Sequence, residues 1–254
     1  MTYLPLIRKI TLSFALLTTT ILYSNPALSA RHKKAHHPSH HRSAVHRVHK
    51  NHKNHKISAN KMQKLAKDET DHTLNVNPKV WTLALKAYNK ALSRGYVKQK
   101  VLTIIDYSLP SSVKRMWVVD VNSNKVLYHT LVAHGKHTGS LFAKYFSDKV
   151  GSRASSIGTF LTENTYFGSK GYSLRLKGLE PGFNEKAHER AIVVHGAWYA
   201  THDFAKNHGR LGLSWGCPAV APQLAGPIIN QIKNGSLIFA YYPDSKWLKN
   251  SNFF

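Results

Sequence analysis

The chain reads as a β-dominated α+β domain, a sandwich or open barrel with an N-terminal helix and short peripheral helices. Three observations predict it. One stretch carries apolar residues at three-to-four spacing, most of the chain beyond it alternates with a period near two, and Gly- and Ser-rich turns separate the runs. The helix opens at Asn77-Pro78, where Asn suits the N-cap and Pro the first helical position. Val80, Leu83, Ala84, Ala87, Tyr88, Ala91 and Leu92 form its apolar stripe, and Gly95 closes it.

Strands are expected at Val101–Tyr107, Arg115–Val121 and Val126–Val132, the last two forming a hairpin across Asn122-Ser123-Asn124-Lys125. His134 to Gly158 is rich in Gly, Ser, His and Lys, too long to be a plain connector, and is expected to border a cleft. Further short strands are expected at Ile157–Thr162, Tyr172–Leu176, Ala191–His195 and Ser236–Tyr242, with a short helix over Gln223–Lys233. Residues 77–243 then make one domain, and 244–254 a C-terminal tail.

Ahead of it the composition changes. Arg8-Lys9, an apolar run from Ile10 to Tyr23 and the small residues Ala27-Leu28-Ser29-Ala30 have the grammar of a secretory signal over 1–30, too short to span a bilayer. Residues 31–56 hold eight Lys/Arg and nine His with no acid, so they cannot bury a core and are expected to be disordered; 57–76 read as a linker. The whole chain has 36 Lys+Arg against 12 Asp+Glu. An exported basic protein, in a periplasm or cell wall with no transmembrane anchor after signal cleavage, meets anionic envelope polymers. Its basic N-terminal segment is expected to bind them. Nucleic acid is not expected, because no basic, aromatic-studded module accompanies the charge.

Exported chains use cysteines in pairs, yet this one has a single cysteine, Cys217. It lies in Ser214-Trp215-Gly216-Cys217-Pro218, twenty-two positions after His195, which ends an apolar run and precedes Gly196. A thiol attacks carbonyls as thiolate and needs a neighbouring base or positive field; His195 is the candidate. Gly216 and Pro218 hold Cys217 in a tight turn whose backbone N–H groups suit an oxyanion, and the Ser214 hydroxyl suits stabilising that turn. The residues alone leave open whether Cys217 is this nucleophile or a small buried hydrophobe.

His195-Gly196 and Ser214-Trp215-Gly216-Cys217, with eighteen residues between His195 and Ser214, resemble the signature of murein L,D-transpeptidases, His then Ser/Thr-His-Gly-Cys. Asp106-Tyr107-Ser108-Leu109-Pro110-Ser111, Val132-Ala133-His134-Gly135, the run Ser173 to Gly182 and Gly209-Arg210-Leu211-Gly212 are similar to one branch of that catalytic-domain family, so the resemblance covers roughly residues 75–243. It implies a β-sandwich-like domain acting on peptidoglycan stem peptides. Cys217 would cleave an L,D-peptide bond through a thioester acyl-enzyme. The acyl group then passes to an amine (transpeptidation) or to water (carboxypeptidation). It also implies that His195 is the base, that the Gly196 carbonyl orients it, and that the Gly216 and Cys217 N–H groups form the oxyanion hole. No cofactor or metal is called for.

Trp215 stands where the family's second His usually lies, and Ala219 where an Asn or Arg is common. His134, Arg175, Arg190 and Arg210 are candidate substrate contacts, the arginines through bidentate bonds to carboxylates. Two rivals stay open. One is a zinc-dependent wall peptidase using His188, His195, His202 and Asp203, and the other a non-catalytic wall-binding protein with a degenerate site.

Overall fold

The computed structural model describes residues 74–254. The signal expected over 1–30, the disordered segment expected over 31–56 and the linker up to residue 73 lie outside the described residues. Helix α1 (Pro78–Ser93) starts where the Asn77 side chain accepts from the Lys79 N–H at 2.9 Å, with proline in its first turn. It ends beside Gly95, whose φ of 73° suits a residue without Cβ. Its apolar stripe, Val80, Ala84, Ala87, Tyr88 and Ala91, is buried.

Eight strands come next: β1 (Val101–Asp106), β2 (Met116–Asp120), β3 (Lys125–Thr130), β4 (Gly158–Gly168), β5 (Gly171–Gly178), β6 (Val193–Gly196), β7 (Ala219–Val220) and β8 (Leu237–Tyr241). They make one sheet in the order β3-β2-β1-β8-β4-β5-β6-β7. Pairing is antiparallel except for β1 with β8 and β6 with β7. The segment after β3 then bends back onto the other end of the sheet: the Ala133 N–H donates to the Ala219 carbonyl at 2.8 Å and the Ser214 N–H to the His134 carbonyl at 3.0 Å. The sheet is thereby a nearly closed barrel.

Alternation along the strands separates two apolar layers. Ile105, Met116, Val118, Ile238 and Ala240 face one layer, sealed by helix α3 (Pro222–Ile232) through Leu224, Ile228, Ile229 and Ile232. Leu102, Ile104, Trp117, Val119, Leu237 and Phe239 face the other, covered by α1 and the chain's end.

Several elements escape the sequence patterns, the two-residue strand β7 among them. The arms of β4 and β5 run past the expected 157–162 and 172–176 to meet at Gly168 and Gly171, because their outer half is exposed and its register shifts between Thr162 and Thr165. Helix α2 (His202–His208) is mostly exposed and is made by its caps, Thr201 accepting from the Phe204 N–H at 3.2 Å and Gly209 at φ 69°. Residues 244–254, set apart by sequence as a tail, form helix α4 (Ser245–Asn250) and pack into the core, with Trp247 and Phe253 buried.

A buried carboxylate holds that end. Glu180 accepts from the Trp247 indole at 2.8 Å and from the Thr159 N–H at 2.7 Å, while the Asn184 side chain accepts from the Glu180 N–H at 2.9 Å. Trp247→Ala removes a large buried ring and one partner of that carboxylate. It is expected to lose about 3–5 kcal/mol. Urea unfolding of the two proteins measures it.

Candidate active site

The site grows from the seam that closes the barrel. β6 and β7 pair in parallel with His195 opposite Ala219, so the chain delivers a strand-end imidazole beside the turn that precedes Ala219. That turn is 214–218, and Ser214 ties it together from within. Its Oγ donates to the Cys217 carbonyl at 2.6 Å and accepts from the Gly216 N–H at 3.1 Å. Ser155 Oγ, from the long loop, donates to the Gly216 carbonyl at 3.0 Å.

Gly216 has φ 121°, and a Cβ there would lie 2.7 Å from the Ala154 carbonyl oxygen. Only glycine fits. Gly135 presses on the same spot, since a Cβ on it would come within 2.9 Å of the Gly216 Cα.

Cys217 is half-buried and has no disulfide partner. Burial pushes its thiol up, and the Val193 backbone N–H, Arg190 and Lys170 offset this in part. His195 is buried, which holds its pKa below the usual 6.5; its bond to the Gly196 carbonyl works the other way. His195 Nδ1 lies 3.0 Å from that carbonyl. A carbonyl only accepts, so Nδ1 carries the proton and Nε2 is left with its lone pair.

His195 and Cys217 line one cleft of about 610 Å³, walled also by Tyr166, Lys170, Arg190, Tyr199, Leu213 and Trp215. The long loop 134–158 contributes none of this wall. It packs against the 214–218 turn instead, through Ser155 and Ala154.

The other residues singled out by sequence take varied places. Trp215 is exposed, lines the cleft and carries the Arg153 guanidinium 4.6 Å from its ring centroid. The Gly216 N–H is taken by Ser214 Oγ, so of the two amides expected to serve an oxyanion only that of Cys217 has no backbone or side-chain acceptor from another residue among the described residues.

His134 is fully buried and does not line the cleft. Arg115 Nη2 donates to its Nδ1 at 2.8 Å, so its Nε2 donates to the Gly139 carbonyl at 3.2 Å. It is a packed support of the seam, because its own carbonyl holds Ser214. Arg175 stacks on the Tyr166 ring at 4.3 Å, and Arg210 Nη1 donates to the Leu211 carbonyl at 2.7 Å; neither lines the cleft.

Sequence reasoning missed Lys170 and Tyr199, which line the cleft with His195 and Cys217. Lys170 carries no motif. Tyr199 has one trace in the sequence, Gly212, where a Cβ would lie 2.5 Å from the tyrosine Cβ.

The zinc reading does not assemble. His188 is exposed and lies 3.2 Å from Glu163, and His202 opens α2. Among the described residues no three His, Cys, Asp or Glu come together in a way that holds a metal ion.

Burial and the neighbouring Arg115 push the His134 pKa down to about 4. The unfolded chain therefore binds a proton near pH 6.5 that the folded one refuses until about pH 4. Stability from this group is complete above pH 6.5 and is lost as pH falls toward 4, on the order of 3 kcal/mol in total. His195, also held low, adds a slope of the same sign. Thermal melts at about pH 7 and about pH 4.5 are expected to show the loss, and His134→Gln to shrink it.

Solved structures that match the chain include L,D-transpeptidases and a cell-shape protein. One from Mycobacterium smegmatis is 15% identical, covering 56% of this chain and 59% of that one, with a TM-score of 0.37. L,D-transpeptidase 3 from Mycobacterium tuberculosis, in complex with a faropenem-derived adduct, is 11% identical over 56% and 60%, at 0.38. The helical cell shape determining protein Pgp2 from Campylobacter jejuni is 8% identical over 59% and 50%, at 0.40. The chain thus spans less than two thirds of each of these structures. No curated protein matches the chain in sequence. Residues 72–241 match the L,D-transpeptidase catalytic domain, and the chain belongs to that family.

Proposed function

We propose that this protein is a peptidoglycan L,D-transpeptidase or L,D-carboxypeptidase with Cys217 as nucleophile. The observation that carries the reading is that His195 and Cys217, far apart in sequence, line the same cleft within a domain of this family. Nε2 of His195 accepts the thiol proton as sulfur attacks the carbonyl of the L,D-peptide bond. The Cys217 N–H donates to the oxyanion. Collapse of the tetrahedral adduct breaks the C–N bond, His195 returns the proton to the leaving amine, and a thioester remains. An amine or water then attacks the thioester while His195 takes its proton; the C–S bond breaks, the acyl group leaves on the acceptor, and His195 returns the proton to the Cys217 sulfur.

Burial lowers the His195 pKa and raises that of the Cys217 thiol, which favours a neutral thiol and neutral imidazole at rest over an ion pair. The rate then depends on unprotonated His195. kcat/KM is expected to climb with pH through a midpoint below 6.5 and to hold level through about pH 8. A rate highest at about pH 5 and declining above it contradicts this.

Purified disaccharide-tetrapeptide incubated with the protein, followed by mass spectrometry, tests the reading directly. Loss of the terminal residue identifies a carboxypeptidase, and a new cross-linked dimer a transpeptidase. An unchanged substrate rejects both. The signal-like residues 1–30 support export, and sequencing of the secreted protein's N-terminus is expected to start after Ser29 or Ala30.

A further inference from the structure

The cleft is lined by two cations, Lys170 and Arg190. No Asp or Glu is among the residues that line it. Of its cations, Arg190 is already engaged: its guanidinium donates to the Ser147 carbonyl at 2.7 Å and to Ser152 Oγ at 3.1 Å, and lies 3.7 Å from Asp148. Lys170 is different. It stands at the tip of the β4–β5 hairpin, exposed at the cleft, and its ammonium makes no hydrogen bond or ion pair among the described residues. Its positive field reaches both reacting groups, helping to hold down the pKa of His195 and of the Cys217 thiol.

We infer that Lys170 docks the α-carboxylate of the residue released from the stem peptide; this rests on the proposed acyl-transfer function. The leaving nitrogen must sit beside His195, which protonates it. Its α-carboxylate hangs from the carbon bonded to that nitrogen, so it lies in the cleft that Lys170 and His195 both line. A charge-assisted bond to a compact, rotatable ammonium suits a single carboxylate there. Donors whose chain ends at the released residue are matched. A donor extended by another residue presents a neutral amide to an unpaired cation.

The test separates binding from turnover. Synthetic stem tetrapeptide, as free acid and as C-terminal amide, is titrated calorimetrically into the Cys217→Ala protein, which holds substrate without consuming it. The amide is expected to bind about tenfold more weakly, the scale of one charge-assisted contact. With Lys170→Met added, acid and amide bind alike; Lys170→Arg restores much of the preference.

Equal binding of the two peptides to Cys217→Ala, a preference that survives Lys170→Met, or no binding of either overturns the inference. Turnover by the unsubstituted protein is scored separately. A carboxylate preference without turnover rejects the nucleophile reading and leaves the docking site standing, whereas turnover that ignores the carboxylate does the reverse.

Discussion

Cys217→Ala is expected to lower turnover of a stem tetrapeptide by at least about 10⁴-fold while leaving its affinity within a few-fold. The chemistry gives the size of the effect, since no other side chain at the cleft offers a nucleophile of comparable strength. Ser214, the nearest hydroxyl in sequence, is committed at both ends: it donates to the Cys217 carbonyl and accepts from the Gly216 N–H. Cys217→Ser is expected to fare little better, because a hydroxyl needs a stronger base than a lowered imidazole. Mass spectrometry of the unsubstituted protein quenched during turnover is expected to show a thioester adduct on Cys217 that both variants lack. Wild-type rates in either variant would sink the mechanism.

Arg115→Met is expected to cost about 3–5 kcal/mol of stability, measured by urea unfolding, and to reduce activity without touching the substrate. This side chain is fully buried. It donates to the Val132 carbonyl at 2.8 Å, the Leu109 carbonyl at 2.8 Å and His134 Nδ1 at 2.8 Å, and stacks 5.2 Å from the Tyr107 ring. Burial lowers its pKa to about 10, so it stays charged at neutral pH. Methionine fills much of the space and leaves those acceptors unpaired. Asp106, buried close by, also loses a favourable positive neighbour. The loss reaches the candidate site through His134, whose carbonyl holds the Ser214 N–H of the 214–218 turn.

These two residues show what the sequence conveys and what it hides. Cys217 is legible because it is unique and sits between glycine and proline, and His195 because an apolar run ends on it. Helix α1 is legible through its cap and stripe, and the inner strands through their alternation. His134, in contrast, sits in a Gly-, Ser- and His-rich loop that reads as a solvent-facing border. Its burial depends on Arg115, nineteen residues away, and no local pattern signals a long-range partner. Arg175 and Arg210 suit carboxylate clamps because arginine chemistry allows it, but a ring and a carbonyl engage them. Lys170 is one lysine among many, and only its place on a hairpin tip distinguishes it. The chain's end is hidden for a related reason: Trp247 finds its place through Glu180, far back in the sequence.

The meeting of residues 133–135 with 214–219 has one more consequence. A sheet that stops short presents a row of bare amide and carbonyl groups on which another molecule can add a strand, and fibres grow that way. Here the two ends of the sheet are drawn together and satisfy part of each other's backbone, so less of that template faces outward. A domain crowded among its own copies is thereby guarded against self-assembly by the same junction that brings sulfur and imidazole to one cleft.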